Sequence, residues 1–321
     1  MFRTEIIPQL SDRKISLNTP LITMGSCFSD HMGIRLLQNK FNVLTNPFGV
    51  IFNPISINKL LKVAAVNGNI DDQNWIESQN IYLHYDVHSQ HGNIDKRKAE
   101  DNVNEAISLT HAQLQKTKWL IITWGTAIVY ERKNTREIVA NCHKVPANAF
   151  TKRLLSNKEI IADFEKILAI LPADINILLT VSPVRHLKET LELNSVSKST
   201  LRLACHQLSQ QHERVSYFPA YELILDDLRD YRFYKSDMLH PSEEATEYVW
   251  SKFTKTYFDQ HALDFTEKWR KIQAALNHRP FNPTSEAHQQ FIKTTIKTLN
   301  ELNEDIDVST EINHLQQQLI N

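Results

Sequence analysis

The chain has 321 residues, enough for one large domain with an appendage or for two small domains. Its hydrophobic content of 41% and charged content of 23% are ordinary for a globular protein. The formal charge of −1, from 36 basic and 37 acidic residues, gives no reason to expect a nucleic acid or an anionic membrane surface as partner. No segment approaches the ~18 apolar residues of a membrane span, and the start lacks the apolar core of a signal peptide.

The cysteine pattern bears on compartment and chemistry. Cys27, Cys142 and Cys205 are too few and too scattered for a disulfide framework or a CxxC zinc site. Without an export signal, we expect a cytoplasmic protein with reduced thiols. A free thiol is therefore available for chemistry, and no feature of the sequence calls for a cofactor.

Short apolar runs alternate with helical patterns along the chain. The runs are rich in Ile, Leu and Val, and they predict strands covered on both faces. They lie at 21–24, 41–44, 119–124, 175–181 and 215–218. Helical patterns between them run over about 98–117, 156–170 and 195–210. This alternation predicts an α/β fold, a three-layer α/β/α sandwich with a short parallel sheet.

Two segments depart from that rhythm. Residues 66–95 are rich in Asn, Asp, Gln and His, and they predict an insertion or a lid over the site. We assign 1–261 to the α/β domain. After Pro241 the pattern is mostly helical, and 262–321 is interpreted as a helical C-terminal extension that packs on the core or supports an oligomer.

In an open parallel sheet, functional groups gather beyond the carboxyl ends of the strands. Small and polar residues follow four of the predicted strands. They are Gly25–Ser26–Cys27, Asn46–Pro47–Phe48–Gly49, Gly125–Thr126, and Ser182 to His186. Within the last group, Arg185 and His186 are suited to bind an anionic part of a substrate, and a surface ion pair is the alternative.

The turn at Ser26 and Cys27 is a suitable place for a nucleophile. Backbone N–H groups and the helix dipole at a strand-to-helix turn favour a thiolate or an oxyanion. The matching base is His240 in "SDMLHPS". Asp237, three residues earlier, can accept the Nδ1–H of His240 and leave Nε2 free. The same two residues are also suited to cap the helix that follows.

These motifs resemble the SGNH (GDSL-type) hydrolase superfamily, and more closely its GSCFA branch. The matching segments are "GSCFS", "NPFG", "WGTAIVY", "NCHKVP", "SPVRH", the D-x-x-H at 237–240 and "RPFNPTSEAHQ". They occur in order from about residue 20 to about 290.

The resemblance assigns roles to individual residues. The superfamily's G-D-S falls on Gly25, Ser26 and Cys27, which implies Cys27 as nucleophile and leaves Ser26 as the alternative. Asp237 and His240 take the places of the orienting acid and the general base.

The oxyanion hole is less well matched. Gly49 is the candidate for the superfamily's glycine donor. The G-x-N-D block is replaced by Gly125-Thr126-Ala127-Ile128, which has no asparagine. Thr126 and the distant Asn141 are candidate substitutes.

The implied reaction is hydrolysis or transfer of a small acyl ester, with an acetylated carbohydrate as the suggested substrate. We expect His88 and Ser89, from the polar segment, to line the substrate cleft. Asn141 and His143 are further substrate-binding candidates.

Two other hypotheses stay open. The changed motifs are also typical of a decayed active site, which would leave a glycan- or protein-binding module. If the chain is extended there, His84, Asp86 and His88 share one face and could hold a catalytic metal.

Overall fold

The computed structural model describes residues 3–302 and 306–320. Backbone contacts divide the chain into two compact units, Met1–Tyr257 and Phe258–Asn321. Residues 303–305 and 321 of the predicted helical extension lie outside the described residues.

The elements of the described residues follow the α/β alternation. The strands are β1 (Leu21–Gly25), β2 (Val43–Thr45), β3 (Trp75–Ser78), β4 (Ile81–His84), β5 (Trp119–Trp124), β6 (Ile128–Arg132), β7 (Ile138–Val139), β8 (Phe150–Leu154), β9 (Asn176–Val181) and β10 (Val215–Tyr217). The helices are α1 (Cys27–Gln38), α2 (Pro54–Ala65), α3 (Lys96–Leu114), α4 (Asn157–Leu168), α5 (Leu191–Gln211), α6 (Ala220–Glu222), α7 (Glu243–Tyr257), α8 (Gln260–Leu276), α9 (Glu286–Leu302) and α10 (Ser309–Gln316).

A five-stranded parallel sheet is the centre of the first unit, in the order β10-β9-β5-β1-β2. Every residue of β1 and β5 is buried, as their mostly apolar composition predicts. The strand predicted at 41–44 begins later, at Val43, because the Phe41 N–H is used to bond Leu36 at the end of α1.

Helices cover both faces of the sheet, so the predicted α/β/α sandwich is confirmed. On one face, apolar residues of α2, α3, α4 and α5 share a core with Ile22 and Leu120. On the other face, Gly33 of α1 lies against Thr23, and Tyr257 of α7 packs edge-on against Trp119 with 5.6 Å between ring centroids.

The polar segment 66–95 contains the antiparallel hairpin β3–β4. The hairpin is tied to the region of the small antiparallel sheet β7-β6-β8, since the Tyr85 carbonyl accepts the N–H groups of Ala140 and Asn141. His143 adds a side-chain bond from Nε2 to the His84 carbonyl at 2.8 Å.

The second unit consists of α8, α9 and α10, which bury apolar side chains such as Trp269, Leu299 and Leu315. Across the described part of the chain, every helix is too short or too polar to cross a bilayer.

The turn from β1 into α1 depends on Gly25. Its φ is +140°, and a Cβ there would lie 2.1 Å from the Thr123 carbonyl oxygen. We expect Gly25→Ala to destabilise the protein by about 2–4 kcal/mol, because the cost of backbone strain adds to the cost of the steric overlap with β5. Urea unfolding measures the loss.

Gly68→Ala is the matched control. Its nearest neighbour is the Val66 side chain at 3.2 Å, and Val66 is exposed and free to shift. We expect a change within about 0.5 kcal/mol. Equal effects of the two substitutions would contradict this account of the turn.

Candidate active site

The candidate site lies at the carboxyl edge of the parallel sheet. The strand order reverses between β1 and β5, since the chain moves from β1 outward to β2 and then crosses back to β5. Ligands bind at such switch points in open α/β sheets. The segments after β1, β5 and β9 meet at this edge, as predicted.

Ser26 and Cys27 have different roles in the turn after β1. Ser26 is 1% exposed and caps α1, its Oγ accepting the Phe28 N–H at 3.3 Å. Cys27 is the first residue of α1 and is partly exposed. The buried hydroxyl is therefore used in the cap, and the thiol is the accessible group.

The pKa of Cys27 is raised, with burial as the largest cause and the Asp30 charge as the second. Three features oppose this and lower the pKa: the Lys198 charge and the N–H groups of Cys27 and Phe28, which bond the sulfur. Burial and Asp30 therefore favour the neutral thiol, whereas Lys198 and the start of the helix favour the thiolate.

Asn46 connects the turn to the segment after β2. Its Oδ1 accepts the Gly25 N–H at 2.7 Å, and its Nδ2 donates to Asp30 Oδ1. Asn46 is 5% exposed and adopts a positive φ of 36°. The sequence placed Asn46 at the edge without a role, and the structure shows that it positions both Gly25 and Asp30.

Gly49, expected as an oxyanion donor, has its N–H paired with the Asn46 carbonyl at 2.7 Å. Its φ is +75°, and a Cβ there would lie 2.3 Å from His88 Cβ. The glycine is therefore required by the approach of His88, and its amide already has an acceptor.

The backbone N–H groups in the segment after β5 also have hydrogen-bond acceptors already. The N–H groups of Gly125 and Thr126 both donate to the Phe52 carbonyl, at 2.8 and 3.0 Å. Thr126 Oγ1 lies 3.1 Å from Ser197 Oγ and accepts the Ile128 N–H. These donors shape the turn, and neither amide is free to bind an oxyanion.

Asp237 and His240 form the expected pair. Asp237 Oδ2 lies 2.7 Å from His240 Nδ1, and Asp237 Oδ1 accepts the N–H groups of Leu239 and His240. The backbone N–H of His240, the N–H of Leu239 and the imidazole hold the pKa of Asp237 at about 2. His240 Nε2 has no hydrogen-bond partner among the described residues.

Arg185 holds the loop that carries this pair. Its N–H donates to the Leu239 carbonyl at 3.2 Å, and its guanidinium lies over the rings of Tyr234 and Tyr231, 4.0 and 5.0 Å from their centroids. Arg185, which the sequence predicted to bind an anion or to form a surface ion pair, instead makes cation–π contacts beside His240.

The loop that carries Asp237 and His240 lies at the carboxyl edge of the sheet, because the Leu239 carbonyl accepts the N–H of Arg185 in the segment after β9. Cys27 begins α1 directly after β1, at the same edge. The pKa values of His186 and of His31, one helical turn after Cys27, are lowered by burial first and in smaller part by the His240 charge.

A cavity of about 490 Å³ lies beside the segments after β5 and β9, and its lining does not include Cys27, Asp237 or His240. Its lining includes Thr126, Asn141, His143 and His186 among the predicted residues. His186 connects the cavity to the edge, because its Nε2 donates to the Gly125 carbonyl at 3.0 Å.

His88 and Ser89 are not part of the cavity lining. His88 Nδ1 accepts the Gln90 N–H, and Ser89 is exposed in the short helical turn that follows.

The metal hypothesis fails on local geometry. Strand β4 ends at His84, so residues 84, 86 and 88 do not alternate onto one face. His84 uses Nε2 to donate to the Asp71 carbonyl and Nδ1 to accept the Asp86 N–H, and Asp86 pairs with Lys59 at 2.6 Å. Within residues 3–302 and 306–320, no group of three or more His, Cys, Asp or Glu is arranged to hold a metal.

The fold and the site define an α/β protein with a nucleophile candidate at the switch point of a parallel sheet. The family model "GSCFA family" matches residues 20–253, and "GSCFA domain protein, C-terminal domain" matches residues 269–321. The chain belongs to the GSCFA family. Comparison with curated proteins gives no match.

Sequence reasoning missed Lys198 and His31. Lys198 is 1% exposed and lies in the helical pattern of α5, where a lysine is ordinarily on the surface. His31 had a detectable signal, since it follows Cys27 by four residues in a predicted helix and so shares its face.

His186 gives the site a measurable pH dependence. Burial, followed by the Lys198 charge, lowers its pKa from 6.5 to about 4, so the unfolded chain binds a proton first as pH falls. The neutral His186 side chain therefore contributes fully to the stability of the folded protein above pH 6.5. As the pH falls from 6.5 to 4, about 2–3 kcal/mol of the free energy of unfolding is lost.

We expect His186→Gln to weaken this pH dependence of urea unfolding. His206→Gln is the control, because His206 is exposed on α5. If the free energy of unfolding of the wild type does not change between pH 6.5 and 4, the lowered pKa of His186 is refuted.

Proposed function

We propose that this protein is an SGNH-type acyl-ester hydrolase or acyltransferase that acts through Cys27, His240 and Asp237. The observation that carries the proposal is the 2.7 Å contact between Asp237 and His240 Nδ1, at the edge where Cys27 begins α1. This contact orients the imidazole and leaves Nε2 as the base, the division of roles in a nucleophile–His–Asp triad. Family membership and the parallel sheet support it.

The chemistry begins when His240 Nε2 takes the proton of Cys27, whose sulfur then attacks the ester carbonyl carbon. The alcohol leaves with the proton from His240, and a thioester remains on Cys27. His240 next activates water or an acceptor hydroxyl, which releases the acid or completes the transfer.

The oxyanion donor in this proposal is the N–H of Cys27. It lies at the first position of α1, where the helix dipole favours negative charge, and among the described residues only the Cys27 sulfur itself accepts from it. The N–H groups of Gly49 and Gly125 are paired and are left out of the hole.

The adjoining cavity supports a small or carbohydrate ester as substrate. Its volume of about 490 Å³ is in the range of small-molecule pockets. Aromatic side chains such as Phe52 and Tyr130 line it together with the polar groups of Asn141 and His186. Asn141 uses Oδ1 to accept the His143 N–H, which leaves its Nδ2 for a ligand.

A binding module with a decayed active site is the second candidate. The observation that favours it is the pairing of the Gly49 and Gly125 amides, since the loss of one oxyanion donor costs about 3–4 kcal/mol of transition-state stabilisation. Such a module would bind its ligand equally well after Cys27→Ala.

Acyl-enzyme formation tests the triad. Brief mixing with p-nitrophenyl acetate should add one acetyl group to Cys27, seen by mass spectrometry together with p-nitrophenol release and turnover. Cys27→Ala abolishes this labelling, and His240→Ala slows it by about 10²–10⁴-fold because the base is lost.

Ser26→Ala is the matched control for the neighbouring residue. We expect it to keep the labelling and to lose about 1 kcal/mol of stability through the helix cap. Labelling that follows Ser26 instead, or that is the same in all variants, would contradict the proposed triad.

Filling the cavity tests the substrate site separately. Ala140 lines the cavity, so Ala140→Phe should raise KM for bulky acyl or glycosyl esters by about tenfold or more, with acetylation of Cys27 by the small ester retained. Ala169→Phe, at an exposed position, is the control. An unchanged KM would place the substrate elsewhere.

A further inference from the structure

Two histidines that line the cavity are fixed in the same tautomer. His186 Nε2 lies 3.0 Å from the Gly125 carbonyl oxygen. His143 Nε2 lies 2.8 Å from the His84 carbonyl oxygen. Because a carbonyl oxygen can only accept a hydrogen bond, Nε2 carries the hydrogen in both rings. Burial lowers the pKa of both imidazoles, so each ring is neutral at neutral pH and its Nδ1 keeps a lone pair.

The two Nδ1 acceptors have no donor within the described part of the chain. His143 is 5% exposed, and its ring borders the cavity. A buried acceptor without a donor costs free energy, and a ligand group that donates a hydrogen bond removes this cost. The cavity is therefore suited to a ligand with hydroxyl groups, which can donate to the two imidazoles.

The charged residues of the lining favour an anion. Two lysines and one glutamate line the cavity, which leaves an excess of one positive charge. The carboxylate of Glu189 is already paired, at 2.8 Å from Lys152 Nζ. Lys144 and Lys188 make no ion pair with Asp or Glu in the part of the chain that the structure describes. The excess charge matches a ligand that carries one negative charge.

Aromatic side chains give the cavity flat apolar walls. Phe52, Tyr130 and Phe150 contribute three rings to the lining. Lys188 Nζ lies 5.1 Å from the centroid of the Tyr130 ring, so a cation is beside one of these walls. The volume of about 490 Å³ has room for a sugar ring together with a small aglycone.

The turn that carries His143 is held against backbone strain. The Val145 N–H donates to the Cys142 carbonyl at 3.0 Å and closes the turn. Its two central residues, His143 and Lys144, have φ of 49° and 61°, where such turns ordinarily have glycine or asparagine. The bond from His143 to the His84 carbonyl keeps the turn in this form. Strain of this kind clusters at binding sites, which supports a functional role for this wall of the cavity.

We propose that the cavity binds an acidic glycoside, a sugar that carries one carboxylate. Nδ1 of His143 and Nδ1 of His186 accept hydrogen bonds from its hydroxyl groups. Lys144 and Lys188 bind its carboxylate, and the aromatic rings pack against its apolar face. For its place in catalysis the inference rests on the proposed function, because the glycoside is then the part of the ester bound away from Cys27. Binding itself requires no turnover.

The experiment is isothermal titration calorimetry of the wild-type protein at pH 7 with three matched probes. p-Nitrophenyl β-D-glucuronide has the carboxylate and the hydroxyl groups, p-nitrophenyl β-D-glucoside has no carboxylate, and 4-nitrophenoxyacetate has no sugar hydroxyls. We expect the glucuronide to bind about fivefold tighter than the glucoside and about tenfold tighter than 4-nitrophenoxyacetate. A glucuronide that binds no tighter than either of the other probes overturns the inference.

Variants locate the two kinds of contact. The double variant Lys144→Met/Lys188→Met should lose the preference for the glucuronide over the glucoside, because the carboxylate then has no cation. Lys116→Met, at an exposed position after α3, is the control and should keep the preference. His143→Phe should weaken the two sugar probes and leave 4-nitrophenoxyacetate unchanged. An unchanged preference in the double variant overturns the inference.

The wild-type order of the three probes decides the question even where a variant fails to fold. Cys27→Ala should bind the glucuronide as the wild type does, since the lining of the cavity does not include Cys27. Labelling by p-nitrophenyl acetate is measured in parallel to separate the two proposals. Selective binding without labelling supports the acidic glycoside site and contradicts the triad, and labelling without selective binding does the reverse.

Discussion

The backbone contact between Gly25 and Thr123 fixes where the site can form. Gly25 lies so close to the carbonyl of Thr123 that no side chain fits, and the next amide, that of Ser26, donates to the same oxygen at 3.1 Å. β1 therefore turns into α1 directly against β5. The first residue of the helix, Cys27, is placed at the switch point of the sheet by this contact.

The charged groups buried at this edge of the sheet determine how readily Cys27 ionises. Asp30 and burial oppose ionisation of Cys27, whereas Lys198 and the start of α1 favour it. Lys198 and His186 donate to one carbonyl, that of Gly125, so the segment after β5 positions the lysine, the histidine and the cavity wall together. A substitution at Gly125 would therefore alter the positions of Lys198, His186 and the cavity wall together.

The sequence predicted the regular parts of this structure well. Apolar runs located the five strands of the parallel sheet, and the rule for open parallel sheets brought the segments after β1, β5 and β9 to one edge, because these patterns are local. The strands of the two antiparallel sheets were not predicted. The Asp237–His240 pair was predicted for the same reason, since three residues of spacing suffice for the contact.

Non-local contacts could not be predicted. The amide of Gly125 is paired with Phe52, far away in sequence, and nothing near either residue shows it. In the sequence Lys198 resembles a surface lysine, and only the structure shows that its Nζ bonds the carbonyls of Gly125 and Ser182. The metal pattern at 84–88 failed because the strand ends at His84, and an ending is weakly encoded in a polar segment.

The division of labour between Ser26 and Cys27 has a consequence for how such a site can change over time. Ser26 provides the cap hydrogen bond, and Cys27 provides the accessible thiol. Exchange of sulfur for oxygen at position 27 therefore replaces a single atom and leaves the capping hydrogen bond in place. A lineage could exchange a thiol for a hydroxyl at this turn while keeping the same fold.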